Sequence, residues 1–245
     1  VDMAGGIQRP KIDMHAHVWR MPDWETSADH LVNCAHMLGI TEVWTSSVIH
    51  TGIIAPPDEV RKHNDTTLAA MGRHPDCLRG WCFIIPGHGS ASIEEAERCL
   101  EAGMIGIKLY NQYRLNDAAV RPIIELSVER RVPVLGHAGY LVGEHMRTQP
   151  LISYGEHFTD TSLCYPDAIL IHAHIGGGGD WEYTVRQMRD ASPNVYIDVS
   201  GSNLDDGQVE FAVTELGVER VLFGTDGTMA GSVGKVLEAD LTEDE

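Results

Sequence analysis

Short runs of β-branched and other apolar residues alternate along this chain with longer stretches whose apolar positions recur every three or four residues. The runs predict eight strands: Lys11–Val18, Thr41–Val48, Leu78–Ile85, Ile105–Tyr110, Val132–Gly136, Ala168–His174, Asn194–Ser200 and Arg220–Gly224. Their starts lie 30, 37, 27, 27, 36, 26 and 26 residues apart, the length of one strand–helix unit. Ile93–Ala102, Ala118–Arg131, Trp181–Asp190 and Gln208–Leu216 read as helices, with Val120, Ile123, Ile124 and Val128 on one face of the second. Parallel neighbours require crossovers, so this alternation implies a parallel sheet. Eight such units close economically into a (β/α)8 TIM barrel, with an open doubly wound sheet as the alternative.

No Pro/Gly/Ser-rich linker or shift of composition divides the 245 residues, so residues 1–245 are expected to form one domain. Little chain follows the last strand, which predicts an incomplete eighth helix. The acids there, Glu238, Asp240, Glu243, Asp244 and Glu245, read as a solvated surface. The stretch Gly139 to Asp160 has no clear period and carries Tyr140, His145, Arg147, Tyr154 and His157. It reads as a long loop, either a binding lid or a shield over the barrel.

The balance of 18 Lys+Arg against 36 Asp+Glu gives a net charge of −18, which repels a phosphate backbone and an anionic membrane surface. No apolar run approaches the roughly 20 residues of a membrane span, and residues 1–10 lack the regions of a secretory signal. Five scattered cysteines without a Cys-x-x-Cys pair fit reduced thiols and a cytoplasmic location.

In a barrel the reacting groups sit at the C-terminal ends of the strands. The first strand ends Asp13-Met14-His15-Ala16-His17, and alternation turns His15 and His17 to one side. Gly106-Ile107-Lys108, Gly136-His137, His172-Ala173-His174 and Phe223-Gly224-Thr225-Asp226 close four others. Imidazole and carboxylate ligands without thiolate suit Zn²⁺, with Mn²⁺ and Fe²⁺ as competitors. An unpaired Lys108 in the barrel mouth demands an anion: a carbamate, a substrate carboxylate or a neighbouring Asp. His172 shares the parity of His174 one layer deeper and reads as a hydrogen-bonded core residue. Asp13 is either an acceptor for a ligand imidazole or a cap below the site. Asp198 and Ser200 are left open by strand parity, and His50 and His88 are either pocket-lining or exposed. No dinucleotide fingerprint, phosphate-binding loop, Gly-x-Ser-x-Gly or His-Glu-x-x-His motif is present. The run Gly176–Gly179 lets backbone pass close to metal or substrate.

Asp13-Met14-His15-Ala16-His17-Val18-Trp19, Gly106-Ile107-Lys108, His174-Ile175-Gly176-Gly177 and Phe223-Gly224-Thr225-Asp226-Gly227 occur in order over residues 11 to about 240. Together they resemble the amidohydrolase superfamily, and within it the amidohydrolase-related branch of aminocarboxymuconate-semialdehyde and resorcylate decarboxylases and lactone hydrolases. The resemblance implies a (β/α)8 barrel with one divalent ion held by His15, His17, His137 and Asp226. It makes His174 a group acting on the substrate or on bound water, and matches Lys108 to a lysine that some branches carboxylate between two metals. The leading expectation is hydrolysis of a small carboxylate-bearing amide, ester or lactone. Asp226 would move the proton, His174 and Lys108 would assist, and Lys108, Trp19, Arg114 and Arg147 would contact substrate. Non-oxidative decarboxylation of an aromatic or unsaturated acid is the alternative on the same site, hydration of an unsaturated acid another. A non-catalytic metal-binding barrel is the reading from a different class. The partners implied are a small-molecule substrate and a second copy of the chain, since members of this family often pair.

Overall fold

A computed structural model describes residues 7–20, 22–49, 52–139, 143–176, 179–201 and 203–242 of the chain. His50, Tyr140, Gly177 and the acids Glu243, Asp244 and Glu245, singled out above, lie outside them.

The strands are β1 (Lys11–His17), β2 (Ile40–Ser46), β3 (Leu78–Phe83), β4 (Gly106–Leu109), β5 (Val134–His137), β6 (Leu170–Ala173), β7 (Val195–Asp198) and β8 (Val221–Leu222). The helices are α1 (Trp24–Met37), α2 (Pro57–Arg73), α3 (Ser90–Glu101), α4 (Arg121–Arg130), α5 (His145–Thr148), α6 (Gly155–Cys164), α7 (Trp181–Gln187), α8 (Gln208–Leu216) and α9 (Met229–Glu238). All eight predicted strands form. Each pairs in parallel with its sequence neighbour, in the order β1 to β8. The backbone closes the ring: Met14 N donates to Phe223 O at 3.0 Å, and Asp226 N to His15 O at 2.6 Å. The chain is a (β/α)8 TIM barrel, and none of its described helices is long and apolar enough to cross a membrane.

Two layers of side chains follow from the alternation of the strands. Leu135, Ile171 and Ala173 point inward with Met14, Trp81, Trp44, Ile105, Tyr196 and Leu222, and fill the barrel. Trp81 is fully buried there, its indole N–H donating to Met14 O at 2.9 Å. Ile107, Leu109, Val134, Leu170, Val195 and Ile197 point outward into the main cluster beneath the helices. The α4 face meets them with Ile123 and Ile124, and Val120 and Val128 pack beside them as their spacing predicts. The strands are apolar on both sides because both sides are covered.

Two readings change. His172 is buried, but it faces outward: its ring lies 4.7 Å from that of Phe158 on α6, and its Nδ1 donates to His174 O at 3.0 Å. His174 reaches the barrel mouth because β6 ends at Ala173 and His174 takes φ +72, so the two do not share a side. The stretch Gly139 to Asp160 is likewise not one loop, since α5 and the start of α6 lie within it. The α6 helix has no strong apolar period because its buried face carries His157, Thr161 and Ser162 beside Phe158. His157 belongs to the helix start, where its Nδ1 accepts the Tyr154 N–H at 2.9 Å.

Candidate metal centre

The inner layer leaves a polar cluster on top of the apolar plug. His15 and His17 come from the end of β1, Lys108 from β4, and His137 from β5. His174 follows β6, Asp198 closes β7 with Ser200 just after it, and Asp226 follows β8. Tyr196 belongs to the inner cluster, so alternation aims Asp198 and Ser200 at the site as well. Gly224 allows the approach of β8, for a Cβ there would stand 3.0 Å from the His15 Cβ and 3.3 Å from Asp198. Asp226, like His174, is a non-glycine residue at positive φ, +53. Such strain persists only where surrounding bonds hold it, and it clusters at functional sites.

His17 Nδ1 lies 3.0 Å from Ser46 O, a carbonyl that only accepts, so this nitrogen carries the proton. Its other nitrogen, Nε2, faces Asp226 Oδ1 at 3.0 Å. His15 repeats the pattern: Nδ1 donates to Asp198 Oδ2 at 2.9 Å, and Nε2 faces Asp226 Oδ1 at 3.9 Å. Two imidazole nitrogens aimed at one carboxylate make a donor set of the kind that binds a divalent cation. Potential ligand atoms of His15, His17 and Asp226 all lie within 4.8 Å of one another, so these three can hold a metal ion. His137 is not within that reach. Its Nδ1 sits 3.2 Å from His174 Nε2, which is itself 4.0 Å from Asp226 Oδ2.

Lys108 is fully buried, and its Nζ donates to His15 Nε2 at 2.9 Å. Among the described residues no carboxylate lies within ion-pairing distance of it, so of the three partners the sequence allows, a neighbouring Asp is not the one found. Asp13 accepts from the backbone of His15 (3.1 Å) and from Thr225 N (3.0 Å) and Oγ1 (2.5 Å). It therefore ties β1 to the end of β8 below the site, and the acceptor for the His15 imidazole is Asp198. Trp19, 38% exposed, lies against His17 with ring centroids 5.0 Å apart, and Tyr110 against His137 at 4.2 Å. Aromatic faces thus flank the histidines at the mouth. Arg114 and Arg147 are exposed; Arg114 donates to Pro150 O at 3.5 Å, and no described contact ties either to the histidines. His88 is half-buried and bonds the Ala55 carbonyl at 2.9 Å.

Burial sets the protonation of the cluster. It pushes His15 down to about 3, helped by the Lys108 charge, and His172 to about 4. His137 and His174 are also pushed down by burial. Lys108 falls to about 8 for the same reason, against the pull of Asp226 and Asp198. Burial raises Asp198 and Asp226 too, but His15 on the one and His17 on the other outweigh it and hold both below the carboxylate range. These shifts give an expected result. Below pH 6.5 the unfolded chain takes up protons at four histidines that burial keeps from protonating as readily in the folded chain, His15 waiting until about pH 3 and His172 until about pH 4. Stability therefore falls as pH drops through that window, by up to about 1.4 kcal/mol per group per pH unit. Asp13, raised to about 7 by burial, acts oppositely, contributing stability that is lost as pH rises from 3.8. One carboxyl against four imidazoles leaves acid lability as the net result. Urea unfolding of chelator-treated protein is expected to show a lower midpoint at pH 5 than at pH 7.5, and an unchanged or higher midpoint at pH 5 would refute the assignment.

A TIM barrel with histidines and a carboxylate gathered at its strand ends defines a class, the metal-site barrels. A family model described as amidohydrolase matches residues 12–230, and the chain belongs to the amidohydrolase family. No curated protein matches it. Solved structures share the fold at low identity. One is a dihydroxybenzoic acid decarboxylase from a Polaromonas species with bound manganese and the inhibitor 2-nitroresorcinol. It is 18% identical, covering 96% of this chain and 92% of that one, at a TM-score of 0.74. A 2,6-dihydroxybenzoate decarboxylase from Rhizobium is 15% identical over 96% and 94% of the two chains, with a TM-score of 0.71. A 4-oxalomesaconate hydratase from Rhodopseudomonas palustris is 17% identical over 96% and 91%, with a TM-score of 0.69.

Proposed function

We propose that this chain is a divalent-metal-dependent decarboxylase of a planar aromatic or unsaturated acid. The observation that carries the reading is Lys108. Its ammonium and a metal ion compete for one lone pair, that of His15 Nε2. With that lone pair taken, a fully buried ammonium is left without an acceptor, which is strongly unfavourable. A substrate carboxylate is the partner that satisfies it. The rings of Trp19 and Tyr110 beside the histidines suit a flat substrate body.

His15, His17 and Asp226 would hold the ion, with His137 as the fourth ligand. One ion is the reading these residues favour, with Zn²⁺, Mn²⁺ and Fe²⁺ all compatible with the donor set. The metal would supply a positive charge that stabilises electron density on the substrate oxygens. The remaining work belongs to the chain. Lys108 anchors the carboxylate. Asp226, whose side chain is 30% exposed to the mouth, rests as a carboxylate and relays a proton taken up from solvent to the carbon that loses CO₂. His174, fixed through Nδ1 by Ser200 Oγ at 2.8 Å, hydrogen-bonds the substrate from the opposite side. Atoms balance without an organic cofactor: the C–C bond breaks, CO₂ leaves, and a C–H bond takes its place.

Of the two reactions the motifs imply, decarboxylation is supported better than hydrolysis, because structures of this fold include decarboxylases acting on dihydroxybenzoates. A panel of hydroxybenzoates and unsaturated acids, assayed for CO₂ release beside amides, esters and lactones, tests it. CO₂ release from at least one acid is expected, and hydrolysis of a neutral ester or lactone with no CO₂ release from any acid would overturn the reading.

A further inference from the structure

The rings of His15 and His174 stack with centroids 5.1 Å apart. Their Nε2 edges face Asp226 and their Nδ1 edges face away from it, toward the end of β7. There Asp198, fully buried, presents Oδ2 to His15 Nδ1 at 2.9 Å. Ser200 Oγ lies 2.8 Å from His174 Nδ1 and 3.2 Å from His15 Nδ1. The carboxylate is itself held, because Oδ1 accepts the backbone N–H of His174 at 3.1 Å and of Ser200 at 2.8 Å. Behind it, Lys235 on α9 reaches inward and donates to the carbonyls of Val199 (3.0 Å) and Gly201 (3.1 Å), one on each side of Ser200. The helix that follows β8 thus grips the segment that orients both histidines.

We propose that Asp198, braced by Ser200 and Lys235, is the positioning residue of the metal site. By accepting the Nδ1 proton of His15 it fixes the tautomer in which Nε2 is a lone pair. The inference rests on the metal reading above and adds the group that prepares the ligand. His15, His174 and Asp198 also lie close enough together to be a cation site of their own. The geometry points away from this. Asp198 Oδ1 is saturated by two backbone donors, and the 2.9 Å contact from Oδ2 is the length of a proton-bearing hydrogen bond.

The rotation imposed on Asp198 makes a sharp test. In Asp198→Asn the two backbone N–H groups select the amide oxygen at the Oδ1 place, which puts the NH₂ against His15 Nδ1. The ring must then accept there and carry its proton on Nε2, so the lone pair is gone. Asp198→Ala removes the acceptor but leaves the tautomer free. Mn²⁺ titrated into each metal-free protein by calorimetry is expected to bind about 100-fold more weakly to Asp198→Asn and about 10-fold more weakly to Asp198→Ala, the span of such outer partners. A packing role alone ranks them the other way, since Asn keeps the shape and Ala leaves a hole. The ¹⁵N shifts of metal-free protein report the same switch directly, His15 moving from Nδ1–H to Nε2–H in Asp198→Asn. Wild-type protein that takes up no Mn²⁺ would remove the proposed function and leave the tautomer shifts to decide this inference. It is overturned by an unshifted His15 tautomer, by Ala ranking below Asn, or by loss of one of two bound equivalents in Asp198→Asn.

Discussion

Asp226→Asn is expected to lower kcat by about 10³-fold, within the range contributed by a positioned proton donor. The side chain does two things at once in this site. One oxygen meets His17 Nε2 at 3.0 Å, and the other faces His174 at 4.0 Å, toward the substrate side. An amide can still coordinate through oxygen but cannot hold and release the proton. The variant should therefore keep part of its metal affinity while losing turnover, and solvent-deuterium incorporation into product should slow with it. A variant that retained both metal and full turnover would end the proton-transfer role of Asp226.

Lys108→Met is expected to raise KM for acid substrates by about 10- to 100-fold, as losing one charge-assisted hydrogen bond of about 1.5–3 kcal/mol requires. Metal content should be unchanged, because the ammonium only borrows the lone pair of His15. Steady-state kinetics beside elemental analysis separate the possibilities. Loss of metal together with activity would make Lys108 a ligand-bearing residue, and unchanged KM would make it a structural one.

The barrel was legible in the sequence because strands covered on both sides read as continuous apolar runs at regular intervals. The α6 helix was not, since Thr161 and Ser162 occupy buried positions where a period of apolar residues is sought. The site was legible where a strand carries its polar residue inward by simple alternation, as β4 does for Lys108; on β1 the two-residue spacing sets His15 and His17 together, but the register shift between Asp13 and Ala16 lets both share the inner side with Met14. Alternation failed at His174. A positive φ there turns its side chain into the mouth, while His172 goes outward to Phe158, and nothing but the following glycines hints at the turn. Asp198 was ambiguous for a different reason. Its direction depends on Tyr196 facing the inner cluster, and a partly polar aromatic suits either side of a strand. Asp13, on the same strand as the histidines, looked as good an imidazole acceptor as Asp198, and only the closure of β8 onto β1 assigns it to Thr225.

CO₂ release measured while a divalent metal is titrated into chelator-stripped protein tests metal-dependent decarboxylation most directly. With a responsive aromatic or unsaturated acid present, CO₂ release should rise from zero and level off at one equivalent of metal per chain. Full CO₂ release before any metal is added, or none at saturating metal while esters or lactones are hydrolysed, would contradict it.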